Sequence, residues 1–315
     1  MSELSRREFL AASFSAGAIA LSTVRAEEPA EPIIDIHQHT NYRERTNAQL
    51  MAHQRAMGVT QTILLPAGSS VKRASTGDGK HNGLGGVGAG GNDTVLGLSR
   101  QYPKEFAFGA NEVTDLPEAR IEIAKYLDLG AIIIGEQKFG VECDSAESQL
   151  LYQLAADYRV PILLHFQHRA YNLGFERLHK MLEKYPKTVF IGHAQTWWAN
   201  IDQNHTDQTV LYPKGKVTPG GLTDRYLSDY PNMFADMSAG SGLNALTRDE
   251  DHARGFLDRH QDKILYGSDC DDRVGSGTAC QGSQTIAAIR KLAPSKAVER
   301  KILYENAKKV FQGRL

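Results

Sequence analysis

Short apolar segments rich in Ile and Val recur from residue 33 onward, and segments with helical spacing separate them. Such alternation is typical of repeated βα units, in which a helix follows each parallel strand. Because eight parallel strands with their helices close into a barrel, the sequence predicts an α/β fold, a (β/α)8 barrel in a single domain. The eight predicted strands are residues 33–36, 60–65, 106–110, 131–135, 161–165, 188–193, 232–236 and 264–267.

The connecting segments include helices and two long loops. The first loop, residues 68–91, is rich in glycine but has no phosphate-binding G-x-x-x-x-G-K motif, so we interpret it as a mobile cover. The second loop, residues 194–224, is expected to lie over the mouth of the barrel. Apolar residues three and four apart predict helices over residues 47–57, 117–129, 146–158 and 175–184.

The charge balance limits the classes of partner. The 36 Lys and Arg residues nearly equal the 37 Asp and Glu residues, which leaves a formal net charge of −1. Binding to nucleic acid or to an anionic membrane needs a basic excess, so neither partner is expected. A small-molecule substrate is expected instead, and a homo-oligomer is left open.

The N-terminal segment is typical of an export signal. Arg6 and Arg7 precede an uncharged apolar run that ends near Val24, and small residues follow where a signal peptidase would cut. Residues 1–26 are therefore predicted to be a bacterial twin-arginine signal peptide, bound by the twin-arginine export machinery. Residues 27–315 would be the mature periplasmic protein. The run is shorter than the roughly 20 residues that span a bilayer, so no stable membrane anchor is expected.

The first predicted strand ends in two histidines. Alternation along an extended chain points His37 and His39 to the same side. Two imidazoles at that spacing can bind one divalent ion, whereas a general base needs a single histidine. Taken alone, the motif is explained equally well by two surface histidines.

Four more polar side chains end predicted strands: Glu136, His165, His193 and Asp269. The carboxyl ends of the strands carry the chemistry of a (β/α)8 barrel, so all six side chains are expected to meet. Imidazole nitrogen and carboxylate oxygen are ligands suited to Zn²⁺, and six of them suffice for two ions that share a bridge. The sequence therefore predicts a centre of one or two divalent metal ions, with Zn²⁺ as the expected metal.

With these motifs the sequence resembles the amidohydrolase superfamily, and within it amidohydrolase family 2. The resemblance extends from about residue 33 to the end, and it implies a distorted (β/α)8 TIM barrel with a mononuclear or binuclear metal centre. It also implies that Asp269 binds metal and moves protons. The motifs that carry the resemblance are His37-Gln38-His39, His165, His193 and Gly267-Ser268-Asp269, in the order that the family has them.

Two assignments stay open within this resemblance. Glu136 is the preferred ligand after strand four, but Lys138 could represent the lysine that many family 2 sequences have there. A simple ion pair between Glu136 and Lys138 also explains the motif. His193 is either a ligand in a binuclear site or an electrophile beside the substrate in a mononuclear one.

Residues near the predicted mouth are candidates for substrate contacts. Arg169 or Arg273 could hold a substrate carboxylate through two parallel hydrogen bonds. Surface arginines and packing tryptophans are an alternative explanation. The candidates are His168, Arg169, Trp197 and Arg273.

The remaining histidines and the cysteines are assigned no role in catalysis. The histidines on predicted helices, His53, His179, His252 and His260, are expected to face solvent. The three cysteines lack the C-x-x-C spacing of common metal sites. Cys270 and Cys280 could form a disulfide bond in an oxidising compartment, and Cys143 is expected to stay a free thiol.

Three functions fit such a site. The first is a metal-dependent hydrolase that attacks an amide, ester or lactone carbonyl of a small molecule with metal-activated water, while Asp269 transfers the proton. The second is a metal-dependent non-oxidative decarboxylase of the same family, favoured by a single ion with Lys138 facing the substrate. The third, a non-catalytic binding protein on the same barrel, is disfavoured because such a protein need not keep six ligands.

Overall fold

A computed structural model describes residues 31–68 and 83–315 of the protein. The described residues belong to one compact unit that runs from Glu31 to Leu315. The predicted signal peptide and residues 69–82 of the first long loop lie outside the described residues, so both stay predictions.

Each of the eight predicted segments contains a strand, and all strand pairings are parallel. In chain order the strands form a three-stranded sheet, β1 to β3, and a five-stranded sheet, β4 to β8. The strands are β1 (Ile34–Gln38), β2 (Gln61–Leu64), β3 (Phe106–Phe108), β4 (Ile134–Gln137), β5 (Ile162–His165), β6 (Phe190–His193), β7 (Met233–Asp236) and β8 (Ile264–Leu265).

Backbone hydrogen bonds join the two sheets at both seams. At the β3–β4 seam, the Ala110 amide donates to the Ile133 carbonyl and the Gly135 amide donates to the Ala110 carbonyl, both at 2.9 Å. At the β8–β1 seam, the Ile36 amide donates to the Tyr266 carbonyl at 3.1 Å. The fold is therefore the predicted distorted (β/α)8 barrel, in which pairing is shorter at the seams than within the sheets.

The four predicted helices are confirmed, the last of them as a 3₁₀ turn, Phe175–Arg177, that leads into α5. At the start of α1, Thr46 and Gln49 form a capping box that satisfies free backbone amides. No helix within the described residues is both long and apolar enough to span a membrane. The α-helices are α1 (Asn47–Ala56), α2 (Asn92–Gln101), α3 (Ala119–Asp128), α4 (Ala146–Tyr158), α5 (Leu178–Lys184), α6 (Gln195–Ala199), α7 (Leu222–Asp229), α8 (Ala239–Thr247), α9 (Glu250–Arg259), α10 (Gln281–Leu292), α11 (Lys296–Arg300) and α12 (Asn306–Val310).

Apolar side chains pack in two layers on the two faces of the strands. Ile63 belongs to an inner cluster to which other strands contribute, for example Ile191 of β6 and Leu265 of β8. Its neighbour Leu64 belongs to the larger cluster between the strands and the helices. This alternation with period two fills the barrel interior, so the mouth at the carboxyl ends of the strands is left for polar side chains.

Some expectations about single residues are wrong. The side chains of His53, His252 and His260 are buried rather than solvent-facing, because their helices pack those faces against the barrel. His260 Nε2 lies 2.5 Å from Asp224 Oδ1, a buried pair that satisfies both groups. The second long loop also begins as the short helix α6 rather than as irregular chain over the mouth.

The fold predicts opposite effects for two glycine-to-alanine substitutions. A Cβ at Gly192 in β6 would lie 2.5 Å from Cδ2 of the buried Trp197, so Gly192→Ala should cost about 1–3 kcal/mol in the free energy of unfolding. Gly97 on α2 has no atom within 4 Å of a built Cβ, and Gly97→Ala should stabilise by up to about 1 kcal/mol. Denaturant unfolding measures both; equal stability of the two variants would contradict this packing.

Candidate metal centre

The structure brings all six predicted ligands together at the carboxyl end of the barrel. Each is at most 5% exposed, so the cluster is buried. The six are His37, His39, Glu136, His165, His193 and Asp269.

Glu136 lies between two groups of imidazoles. Its Oε2 atom is 3.3 Å from Nε2 of both His37 and His39. Its Oε1 atom is 2.5 Å from Nδ1 of His165 and 3.6 Å from Nε2 of His193. One carboxylate therefore faces a nitrogen pair from β1 with one oxygen and a nitrogen pair from β5 and β6 with the other.

Asp269 is the second carboxylate of the cluster. Its Oδ1 atom is 3.5 Å from His39 Nε2, and its Oδ2 atom is 3.6 Å from His193 Nε2. The Asp269 amide donates to the His37 carbonyl at 2.8 Å, and this bond fixes the residue against the end of β1. Asp269 has a φ of 42°, a left-handed conformation that aspartate tolerates better than most residues.

Gly267 allows the chain after β8 to pass close to His37 of β1. A Cβ at this position would lie 2.8 Å from the Cβ of His37 and would also clash with Oδ1 of Asp236. The Gly267-Ser268-Asp269 motif therefore needs glycine in its first position, because the chain just after β8 passes directly beside His37 of β1.

Burial and neighbouring charges set the protonation of the carboxylates. Burial alone would raise the pKa of Glu136, but the charges of Lys138 and His37 and the hydrogen bond from His165 outweigh it and hold the pKa well below its usual range. Burial is likewise outweighed at Asp269, where His37 and two other imidazoles hold the pKa well below its usual range. Both carboxylates are therefore ionised at neutral pH.

Burial and neighbouring charges shift the pKa values of two imidazoles, His165 and His37, in opposite directions. Burial and the charge of Lys138 lower the pKa of His165 to about 4, so this imidazole is neutral and can donate a lone pair. At His37, burial is outweighed by the carboxylates of Asp269, Glu136 and Asp236, which raise the pKa well above its usual range. A cation at the centre would have to displace the proton of His37, as metal ions do when they bind histidine.

The side chains fit a divalent cation. Glu136 Oε2, His193 Nε2 and Asp269 Oδ1 are buried atoms without a hydrogen-bond partner among residues 31–68 and 83–315. Buried polar atoms are normally satisfied, and these three belong to one cluster of imidazole nitrogens and carboxylate oxygens. A cation would satisfy all three and balance the negative charge of the two carboxylates.

The family comparison agrees with this site. The amidohydrolase family, the family 2 branch, matches the chain over residues 34–313. The chain belongs to this family. Members of the family are metal-dependent enzymes, and the described residues of this amidohydrolase contain candidate metal sites. No curated protein matches the chain.

Solved structures similar to this amidohydrolase share its fold at low sequence identity. An uncharacterised TIM-barrel protein from Bordetella bronchiseptica matches with a TM-score of 0.62 and 15% identity, covering 90% of this chain and 99% of the other. A dihydroxybenzoic acid decarboxylase from Polaromonas, solved with bound manganese, has a TM-score of 0.55 and 14% identity, with 90% and 97% covered. A probable 2-pyrone-4,6-dicarboxylic acid hydrolase from Acinetobacter baumannii, solved with citric acid, has a TM-score of 0.54 and 12% identity, with 90% and 99% covered.

Lys138 lies beside Glu136, and it is Glu136 that faces the imidazoles. The Nζ atom is 4.0 Å from Glu136 Oε1, and the side chain is 14% exposed. Burial lowers the pKa of Lys138, but the carboxylates of Glu136 and Asp269 outweigh it and raise the pKa above its usual value. Glu136 therefore faces the imidazoles of the amidohydrolase centre, and Lys138 is its charged neighbour.

The four residues predicted to contact the substrate do not lie together in the structure. His168 and Arg169 line a cavity of about 390 Å³ that reaches Gln167, whose Oε1 atom is 3.3 Å from His165 Nε2. Arg273 is exposed and donates to the Arg43 carbonyl at 3.4 Å. Trp197 is 0% exposed and packs against Phe166 and Phe175, so its expected place at the mouth is wrong.

Sequence reasoning missed Asp236, which contacts two of the six predicted ligands. Its Oδ2 atom is 2.6 Å from Nδ1 of His37 and 3.2 Å from Nδ1 of His193. The Ser238 hydroxyl donates to the same oxygen at 2.7 Å. The sequence did contain a signal: Asp236 is the last residue of the seventh predicted strand, and the predicted ligands also lie at the ends of their strands. A carboxylate that holds the far nitrogen of a histidine fixes the ring and its tautomer.

Removing the charge of Asp236 should weaken metal binding without removing a ligand. Asp236→Asn keeps the size of the side chain but cannot accept equally from His37, so affinity for a divalent ion should fall about 10- to 100-fold. Titration against a competing chelator measures this. Asp229→Asn, at the exposed end of α7, is the control. Unchanged affinity in Asp236→Asn would show that Asp236 does not support the ligands.

Proposed function

We propose that this amidohydrolase is a metal-dependent hydrolase that attacks an amide, ester or lactone carbonyl of a small molecule. The supporting observation is the position of Glu136, whose two oxygens face two separate groups of imidazoles. A carboxylate placed in this way suits a bridge between two ions, and two-ion centres are common in hydrolytic enzymes.

The residues divide into two ligand sets, and we propose Zn²⁺ as the metal of both. His37, His39 and Asp269 would hold one ion, His165 and His193 the other, and Glu136 would bind both. Metal ions bound there would supply a water molecule of lowered pKa and polarise the carbonyl of the substrate. The imidazole of His193 then serves as a ligand, because its Nε2 atom faces Glu136 and Asp269.

Asp269 is the residue that we propose as the proton carrier. It is ionised, and its Oδ1 atom has no hydrogen-bond partner among the described residues. Asp269 would accept a proton from the attacking water and deliver it to the leaving group. His193 is the alternative carrier if Asp269 has only a structural role.

Turnover should depend on Asp269 more strongly than metal content does. Asp269→Asn keeps an oxygen that can face an ion but loses the basicity needed to take a proton. Turnover should fall by roughly two to four orders of magnitude, while metal content falls modestly. Asp271→Asn, two residues away in a surface ion pair with Arg43, is the matched control. Near-normal turnover in Asp269→Asn would overturn the proposed role.

Decarboxylation is the second candidate function, and Lys138 favours it. A largely buried ammonium beside the centre could bind a substrate carboxylate, and the Polaromonas structure belongs to a decarboxylase. Assaying purified enzyme on a panel of lactones, esters, amides and aromatic carboxylic acids separates the two functions. Ring opening or acyl cleavage without carbon dioxide supports the hydrolase, whereas release of carbon dioxide from an aromatic acid would replace it with the lyase.

We also propose that the protein is exported to the periplasm by the twin-arginine machinery. The proposal depends on Arg6, Arg7 and the apolar run that follows them. Changing both arginines to Lys should leave the precursor in the cytoplasm, as fractionation and N-terminal sequencing of the periplasmic form would show. Arg25→Lys is the control within the same segment. Undiminished periplasmic protein in the double variant would contradict the export signal.

A further inference from the structure

A second group of potential metal ligands lies beside the candidate centre and shares no residue with it. It consists of His53, Cys270, Asp272 and Cys280, whose ligand atoms all lie within 4.8 Å of one another. His53 comes from α1, Cys270 and Asp272 follow Asp269, and Cys280 directly precedes α10. We call these four residues the Cys270 cluster.

The two sulfur atoms are placed as in a metal site. Cys270 Sγ and Cys280 Sγ are 3.7 Å apart, and both cysteines are free. A disulfide bond would need about 2.05 Å. Two thiolates on a tetrahedral zinc ion, each about 2.3 Å from the metal, have sulfur atoms about 3.8 Å apart.

The histidine lies at a distance from one sulfur atom that suits a third ligand. His53 Nε2 is 3.5 Å from Cys280 Sγ, close to the roughly 3.5–3.6 Å between a sulfur and a nitrogen ligand of zinc. The Asp272 Oδ2 atom is 3.8 Å from the same nitrogen, so the carboxylate is near enough to supply a fourth ligand. Backbone amides of Val274 and Gly275 donate to this oxygen and hold the carboxylate in place.

The surroundings support a closed, buried site. His53, Cys270 and Cys280 are buried, and the amide of Ser283 donates to Cys280 Sγ at 3.3 Å. A Cβ on Gly275, which has a φ of 81°, would clash with the His53 carbonyl. Glycine thus lets the loop after β8 approach α1 closely enough for both to contribute ligands.

We propose that the Cys270 cluster binds a structural zinc ion that attaches the loop after Asp269 to α1. Two thiolates, an imidazole and a carboxylate fill four positions and leave none open, as in structural zinc sites. The spacing of the cysteines does not show this, because the histidine ligand lies more than 200 residues away in sequence. The ion would act with Arg45, whose Nη1 atom donates to the carbonyls of Cys270 and Asp272 at 2.8 and 2.9 Å.

Cobalt substitution tests this site separately from the hydrolytic centre. Thiolate ligands give Co²⁺ an intense charge-transfer absorption in the near ultraviolet, which imidazole and carboxylate ligands do not give. The full chain loaded with Co²⁺ should show this band. Cys270→Ser/Cys280→Ser should lose the band together with about one metal ion per chain, and it should unfold at a lower temperature.

Two controls separate the alternatives. Cys143→Ser, at a buried cysteine far from the cluster in sequence, should keep the band. His37→Ala should also keep it while losing metal from the hydrolytic centre. If the wild-type chain lacks the band, or if unfolded chain without reductant shows one free thiol instead of three, the zinc site is overturned. The second result would mean a disulfide bond between Cys270 and Cys280.

Discussion

Glu136 is the residue on which the arrangement of the barrel mouth depends. It is fully buried, and a buried carboxylate is unfavourable unless positive charge and hydrogen-bond donors surround it. The imidazoles at the ends of β1, β5 and β6, with Lys138, provide that environment. Because these groups come from the ends of four different strands, the register of those strands determines whether the charges compensate one another.

A second layer of contacts holds the first and last strands of the barrel together at this end. The buried carboxylate of Asp35 accepts from the Ser268 amide at 2.9 Å and from the Gln54 side chain at 2.9 Å. Gln38 donates to the Cys270 carbonyl at 3.0 Å. Asp269 therefore faces the candidate metal centre from a loop whose backbone is fixed on both sides, and such support is what precise placement of the proposed proton carrier requires.

Much of this could be predicted from the sequence, because strand ends in a parallel barrel converge. The alternation of strands and helices was enough to predict the barrel, and six polar side chains at strand ends were enough to predict the candidate metal centre. Asp236 and His53 were not among the predicted site residues, because their roles depend on contacts with other elements of the fold. Asp236 supports ligands and is not one itself, and the burial of His53 depends on how α1 packs against a loop more than 200 residues later. Periodicity reports on one element at a time, whereas these two roles arise between elements.

The proposed bridging of two metal ions by Glu136 is tested most directly by anomalous diffraction. The data would be collected at the zinc absorption edge from crystals of residues 27–315. A bridging Glu136 predicts two anomalous peaks, about 3.5–4 Å apart, one beside His37 and His39 and the other beside His165 and His193. A single peak in this cluster, with Glu136 bound to one ion or to none, would contradict the bridge and favour a mononuclear enzyme.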